Sequence, residues 1–562
     1  MLHPFTPERE VGSVYRVEAG SVETTLPRAA SRPQSRLGQR VGRGEVGEFL
    51  VIDVGGFAIV GRISEVWVSG PDRPNVARAS TSDASVRPAG RVQLLATLKL
   101  DGTHIRGIER FPRLGDSVYS APADVLEALI SEDLEAESPR LSLGALANHP
   151  EVSVKLDPSR LFGRHLAVLG ATGSGKSWTV AHLAEEIAEA HGKMVLVDAT
   201  GEFHTLSEEH TTHVSVGSLD DDSCCLPHTD LDEGDLNAFL RPSAGSQLPK
   251  LREAIRSLRL AAALGAEHPL VDEEGCIAKA QQRRSDFYGA RREHADVVEA
   301  RGSAFDLRLL PKQIEHECIW SHDRADATRF GGIAQNDLGY CTSLITRIQD
   351  LIQTPEVIRI LTPEPNAVSV LDAIDHFLGD NSKRILRISL QDLPFVQHLR
   401  EIAVNSIGRH LLSKARAGTF RGAPLVVAVD EAQQFFGKTI GDEAVTTRLE
   451  HFEAIAKEGR KYGLTVCMAT QRPSDLPAGV LSQAGLLLVH RLGDGRDRKY
   501  VEEASSELDR AATRLLPGLT PGEAIFVGVD FPVPVSVQVE PPIYKPESEG
   551  PNYDAGWKAS VS

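Results

Sequence analysis

The sequence lacks the marks of a disulfide framework, a paired zinc site and a membrane anchor. Its 562 residues hold six cysteines: Cys224, Cys225, Cys276, Cys318, Cys341 and Cys467. None forms a C-x-x-C pair, and adjacent Cys224 and Cys225 make a poor framework, so a reduced, cytoplasmic protein is expected. The "HEC" at His316–Cys318 has the residue types of metal ligands but no partner pair at zinc spacing. No apolar run reaches the length needed to cross a bilayer, and "MLHPFTPEREVGS" at the start lacks the layout of a secretory leader. Positive charge is also short: 61 Lys and Arg stand against 78 Asp and Glu, a formal charge of −17. That argues against a surface coated with nucleic acid. It leaves room for a local basic channel, because only charge near the phosphates matters.

What is present is ordinary globular material, 41% hydrophobic and 25% charged, in a chain long enough for several domains. Residues 1–40 read as polar and irregular. "EFLVIDVGGFAIVGRISEVWV" (48–68) reads as two strands around Gly55–Gly56, and "RVQLLATLKLDGTHIRGIERFP" (91–112) as two more around Asp101 and Gly102. A Pro/Ser/Asp-rich loop (69–90) separates them. Short strands with glycine turns predict a small β-barrel over 1–120, followed by a linker with one short helix over 121–150.

From about residue 160, apolar runs alternate with helical stretches: "LAVLG" (166–170), "MVLVDA" (194–199), "ILRISL" (385–390), "LVVAVDEA" (425–432), "LTVCMATQ" (464–471) and "LLLVHRL" (486–492). This pattern predicts an α/β fold with a mostly parallel sheet covered on both faces, over 151–224 and 341–530. The gap between the second and third runs is too long for an ordinary crossover. With helical spacing at 248–265 and 276–300, it predicts a helical subdomain inserted over 225–340. Residues 531–562 are expected to form an edge strand or arm and a tail.

"VLGATGSGKSWTV" (168–180) fits G-x-x-x-x-G-K-[ST] at Gly170, Gly175, Lys176 and Ser177. In such a loop, backbone amides turn inward around phosphate oxygens, and the helix that follows favours the same anion. The loop residues Gly170, Ala171, Thr172, Gly173, Ser174, Gly175, Lys176, Ser177 and Trp178 are the candidate ATP cradle. Lys176 would neutralise the β/γ-phosphates and Ser177 would hold Mg²⁺. "PLVVAVDEAQQF" (424–435) supplies an acidic pair at a strand end: Asp430 for the metal, Glu431 as general base for the attacking water. Thr470 and Gln471 end the next strand, where a polar group can sense the γ-phosphate or orient water. Asp198 and Glu202, in "DATGEF", close the second strand. Arg460 in "AKEGRKYG" and Arg164 in "LFGRHLAVLG" are candidates for an arginine supplied to a neighbouring subunit's phosphates. A surface ion pair is the alternative for each.

Taken in order, "RHLAVLGATGSGKS", "DATGEF", "VVAVDEAQQF", "EGRKYG" and "ATQRPSDLPAGVLSQAG" resemble the HerA group of the HerA/FtsK ATPases, and the N-terminal strands resemble its HAS-barrel. The resemblance covers most of residues 40–540. It implies a RecA-like P-loop core and a homohexameric ring that pumps double-stranded DNA with ATP and Mg²⁺. It also implies a separate effector partner, a nuclease or Sir2-like NADase, in phage defence or DNA end processing. By motif match, Lys176, Ser177, Asp430, Glu431 and Gln471 take the ATPase roles, and Arg460 and Arg164 the subunit-boundary positions. The family often has a proline and a histidine where this chain reads "DATGEF". For pore contacts to DNA, Lys438 in "FGKTIGDEAVTTR", and Lys414 and Arg416 in "SKARAGTFRGA", are candidates, although such a loop is more often a solvated surface than a pore loop. Two other readings stay open: a ring scaffold that uses ATP as an assembly switch, and a protein pump, against which the lack of a membrane segment counts.

Overall fold

The computed structural model describes residues 3–547 except 28, 30–34, 37–38, 41–43, 70–86, 102, 131–138, 301, 365, 443–444, 506–507, 509, 530 and 532. Most of the expected 69–90 loop and the last part of the expected tail, 548–562, therefore lie outside the described residues. The chain forms two compact units, one of residues 1–190 and 469–543, the other of residues 191–468 and 544–562.

The principal strands are β1 (Glu10–Val17), β2 (Ser21–Thr25), β3 (Phe49–Asp53), β4 (Phe57–Ser69), β5 (Arg87–Lys99), β6 (Ser117–Ser120), β7 (Leu141–Leu146), β8 (His149–Leu156) and β9 (His165–Leu169). They continue with β10 (Lys193–Asp198), β11 (Thr211–Val216), β12 (Ser223–Cys224), β13 (Ile385–Ser389), β14 (Leu425–Val429), β15 (Leu464–Thr470), β16 (Ala484–His490), β17 (Glu523–Gly528) and β18 (Val535–Val539).

In the first unit, β2-β1-β6-β3-β4-β5 close on themselves through a β2–β5 pairing, a six-stranded barrel. Its interior is filled by side chains including Val11, Val14, Val22, Leu50, Ile52, Ile59 and Val92, each at most 2% exposed. Closure removes the free edges that an open sheet of this size would present. β1 and β2 lie in the stretch read from sequence as irregular, and the reason is visible. β1 shifts register between Val14 and Arg16 against β2, and between Glu10 and Gly12 against β6. Each irregularity breaks the period-2 alternation by which a strand is recognised.

The same unit carries a sheet in the order β8-β7-β18-β17-β16-β9. β9 and β16 are parallel; the other pairings are antiparallel. All five residues of β9 are buried, and each large aliphatic side chain so placed contributes roughly 1.5–3 kcal/mol. The β7–β8 hairpin begins inside the stretch expected to be linker. The C-terminal β18 is not an edge arm but an inner strand, held between β17 and β7.

The second unit holds β15 (through Met468), β14, β10, β13, β11 and β12 in that order, all parallel. This sheet is purely parallel, whereas that of the first unit is mixed. Between β12 and β13 the described residues form eight α-helices, from Glu233–Leu240 to Val370–Gly379. The helical stretch therefore continues past residue 340, and the Gln335–Gln353 helix crosses it. Leu260, Ala261, Leu270, Ile277, Phe287, Val298 and Phe330 give part of this segment its own core.

All six cysteines are buried and free. Among the described residues, no helix is long and apolar enough to cross a membrane.

Candidate nucleotide site

In the first unit, residues 170–175 leave the end of β9 and enter the Lys176–Glu189 helix, which buries Val180, Leu183, Ala184 and Ile187 at helical spacing. Two glycines are required by the space around them. A β-carbon at Gly170 would lie 2.5 Å from Ser174 Oγ and 2.6 Å from His490 Cβ. Gly175 has φ 111°, and a β-carbon there would meet the Gly522 backbone at 2.9 Å. The loop is fastened on its outer side. Gly170 N–H donates to Thr470 O (3.2 Å), Ala171 N–H to Arg491 O (2.9 Å), and Gly522 N–H to Ser174 O (3.0 Å).

Its inner side is left unsatisfied. The amides of Gly173, Gly175, Lys176 and Ser177 donate to no acceptor among the described residues. Ser174 Oγ is buried without a hydrogen-bond partner. Lys176 is only 8% exposed, and among the described residues its ammonium has neither an ion pair nor a hydrogen bond. Converging donors, an unpaired buried cation and a helix N-terminus form a receptor for a polyanion, and a triphosphate fits it. Gln471 joins the rim, its Oε1 accepting from Thr172 Oγ1 at 2.7 Å. Trp178 is 38% exposed beside the loop. Arg164 lies at the opposite end of β9, on the order of 20 Å along the strand, with its stem packed against Gly485.

Sequence reasoning missed His490, the last residue of β16, which forms the floor of the loop and is fully buried. Its Nδ1 faces Glu523 O at 3.0 Å and its Nε2 faces Thr179 Oγ1 at 2.9 Å. A neutral ring donating from Nδ1 and accepting at Nε2 satisfies both. Burial pushes its pKa from 6.5 down to about 4; the Lys176 charge acts in the same direction, and the bond to Glu523 opposes them. The consequence for stability has a definite sign. Between pH 6.5 and 4 the unfolded chain takes up a proton that folded His490 refuses, so stability falls as the pH is lowered through this window. In denaturant titrations at pH 7, 6 and 5, His490→Gln is expected to flatten the slope by up to about 1.4 kcal/mol per pH unit. Identical slopes in both proteins would contradict this.

In the second unit, Asp430 and Glu431 follow β14 at the C-terminal edge of the parallel sheet, 4% and 8% exposed. Asp430 N–H donates to Val197 O at 3.0 Å. Glu431 adopts left-handed backbone geometry, φ 49°, and its carboxylate accepts from Gln433 Nε2. A glutamate held in that region stores strain of the kind found at functional sites. Asp198 ends β10 fully buried, 2.7 Å from Arg387 Nε, and accepts from the amides of Gly201 and Phe203. Glu202 Oε2 is buried and has no hydrogen-bond partner among the described residues.

Arg460 is exposed in the short turn after the His451–Glu458 helix and has no ion pair among the described residues. Lys438 opens a hairpin of Lys438–Asp442 against Val445–Leu449. Lys414 is paired with Asp375 at 2.9 Å, and Arg416 with Glu458. Both of these cations are already neutralised locally.

Fold and loop define a P-loop ATPase. Residues 141–304 match the family model described as "Helicase HerA, central domain". The chain is 27% identical over 462 residues to the DNA double-strand break repair helicase HerA of Pyrococcus furiosus, covering 80% of this chain and 77% of that protein. With the HerA of Sulfolobus acidocaldarius it shares 24% over 535 residues, 91% of this chain and 92% of the relative. With a probable helicase of Methanocaldococcus jannaschii it shares 26% over 439 residues, 76% and 71%. VirB4 of Thermoanaerobacter pseudethanolicus superposes with a TM-score of 0.48 at 14% identity, over 74% of this chain and 99% of that one. The chain is an ATPase whose likeness is to the HerA type of the HerA/FtsK group.

Proposed function

We propose that this protein is an ATP-driven translocase or helicase acting on double-stranded DNA as a homohexameric ring. The observation that carries the reading is the loop at 170–177, where Lys176 is buried and, among the described residues, unpaired beside donors that face no acceptor. Lys176 and the loop amides bind the β- and γ-phosphates of ATP. Ser177 and Asp430 would hold magnesium, which would supply positive charge to the phosphates. Glu431 takes a proton from the attacking water, and Gln471 orients that water or reads the γ-phosphate. Exposed Arg460, with Arg164 as the weaker candidate, serves a neighbouring subunit's phosphates. The motif resemblance extends the reading to a separate nuclease or NADase effector, in phage defence or DNA end processing.

Two observations favour a second reading, an ATP-regulated ring scaffold that activates an effector without pumping DNA. The net charge is −17, and Lys414 and Arg416 are occupied by carboxylates. Lys438 is left as the cationic candidate for a DNA contact. The two readings separate on one assay. For a translocase, double-stranded DNA raises ATP turnover several-fold at low salt, and the gain shrinks as salt rises, since phosphate contacts release counterions. Intact hydrolysis with no DNA response at any ionic strength selects the scaffold.

A further inference from the structure

The helical segment contains a second constellation of ligand-bearing side chains, apart from the phosphate loop. The donor atoms of Asp272, Cys276 and His316 all lie within 4.8 Å of one another. His316 Nε2 is 3.3 Å from Asp272 Oδ2. That nitrogen is nonetheless buried with no hydrogen-bond partner among the described residues, because the contact lacks hydrogen-bond geometry. Cys276 is fully buried. The "HEC" in the sequence is thus split: Cys318 turns inward, its Sγ donating to Ile314 O at 3.2 Å, while His316 faces the 272–276 loop.

That loop is built to hold its shape. Asp272 Oδ1 accepts from the amides of Glu274 (3.0 Å) and Cys276 (2.8 Å), which leaves Oδ2 for His316. Asp272 N–H donates to Cys276 O at 2.8 Å, and Val271 pairs with Ile277 across the loop neck. Fully buried Gln313, on the same Leu310–Glu317 helix as His316, clasps both backbone groups of Ile277: Oε1 accepts from its N–H at 2.8 Å and Nε2 donates to its O at 3.1 Å. The ligand-bearing helix and loop are therefore fixed to each other before any ion arrives, as a specific site requires. The nearby cation, Lys312, is paired with Glu274.

We propose that Asp272, Cys276 and His316 bind one divalent zinc ion. A thiolate, an imidazole and a carboxylate form a mixed set suited to a borderline ion in tetrahedral coordination, with water as the fourth ligand. Donors around such an ion stand roughly 3.3–3.6 Å apart. The histidine–aspartate pair is already at that separation, and the thiol reaches it by a side-chain adjustment of about 1 Å. On binding, the thiol proton passes to solvent and the sulfur becomes a thiolate ligand; nothing is oxidised or reduced. The ion would staple the loop to the helix in a segment with a modest core of its own.

The test is cobalt titration of the full-length protein after chelator treatment. The expected result is one equivalent bound per chain, with a thiolate-to-metal charge-transfer band and the intense visible bands of four-coordinate Co²⁺, both abolished by stoichiometric Zn²⁺. Cobalt in the oxygen-lined ATP site gives no thiolate band, so the two sites are distinguished. Cys276→Ser should remove the charge-transfer band, and His316→Gln should weaken Zn²⁺ binding by at least the roughly 10–100-fold that losing an outer-shell partner costs. Cys318→Ser should leave both intact. Absence of the band in the wild-type protein overturns the proposal without recourse to any variant, as does a band that survives Cys276→Ser.

Discussion

Lys176→Ala is expected to abolish ATP hydrolysis and to reduce nucleotide binding below detection in equilibrium assays. The lysine is 8% exposed and, among the described residues, its ammonium has no partner. Its charge therefore serves an anion that arrives from outside. Removing one preorganised donor to a developing phosphoryl charge costs about 10²–10³ in rate, and here the binding contribution goes as well. The same geometry gives a second, less obvious result. An uncompensated buried ammonium destabilises the free protein. Without nucleotide, the alanine variant should therefore melt no lower than the wild type, while ATP with magnesium raises the melting temperature of the wild type only. A variant that melts lower without ligand and still binds ATP would show that Lys176 is a structural residue.

Glu431→Gln is expected to bind ATP and hold it. Glutamine preserves size and hydrogen bonding but cannot accept the water proton, so turnover should fall by roughly 10²–10⁴ with affinity kept. The position allows this swap and few others, because Glu431 is in the left-handed region at φ 49° and a β-branched residue would add strain there. Single-turnover hydrolysis and filter binding together decide it. Normal turnover in the variant would remove Glu431 from the reaction and return the general base to another carboxylate.

The six apolar runs read from sequence as core strands coincide with β9, β10, β13, β14, β15 and β16. Each is a continuous buried segment, and continuity survives without knowledge of its neighbours. β1 was illegible because its register irregularities scramble alternation. β11 was illegible because "TTHVSV" has no continuous apolar run and its middle positions, Thr212, His213 and Val214, are only half-buried. The phosphate loop was readable because its chemistry is contiguous. His490 was not: it touches Gly170 and Thr179 from a strand more than 300 residues downstream, and nothing local distinguishes it from any polar residue at a strand end. The triad of Asp272, Cys276 and His316 was hidden in the same way, its nearest sequence neighbours pointing to Cys318 instead.

The pairing of β9 with β16, His165 opposite Ala484, has a temporal consequence. The strand that carries the phosphate loop leaves the ribosome roughly 320 residues before its parallel neighbour. At about 5–20 residues per second, that is a delay of roughly 16–64 s. Throughout it, β9 lacks β16, and the loop has neither its histidine floor nor its Gly522 fastening. The phosphate loop of the nascent chain is therefore incomplete until Gly522 has been made.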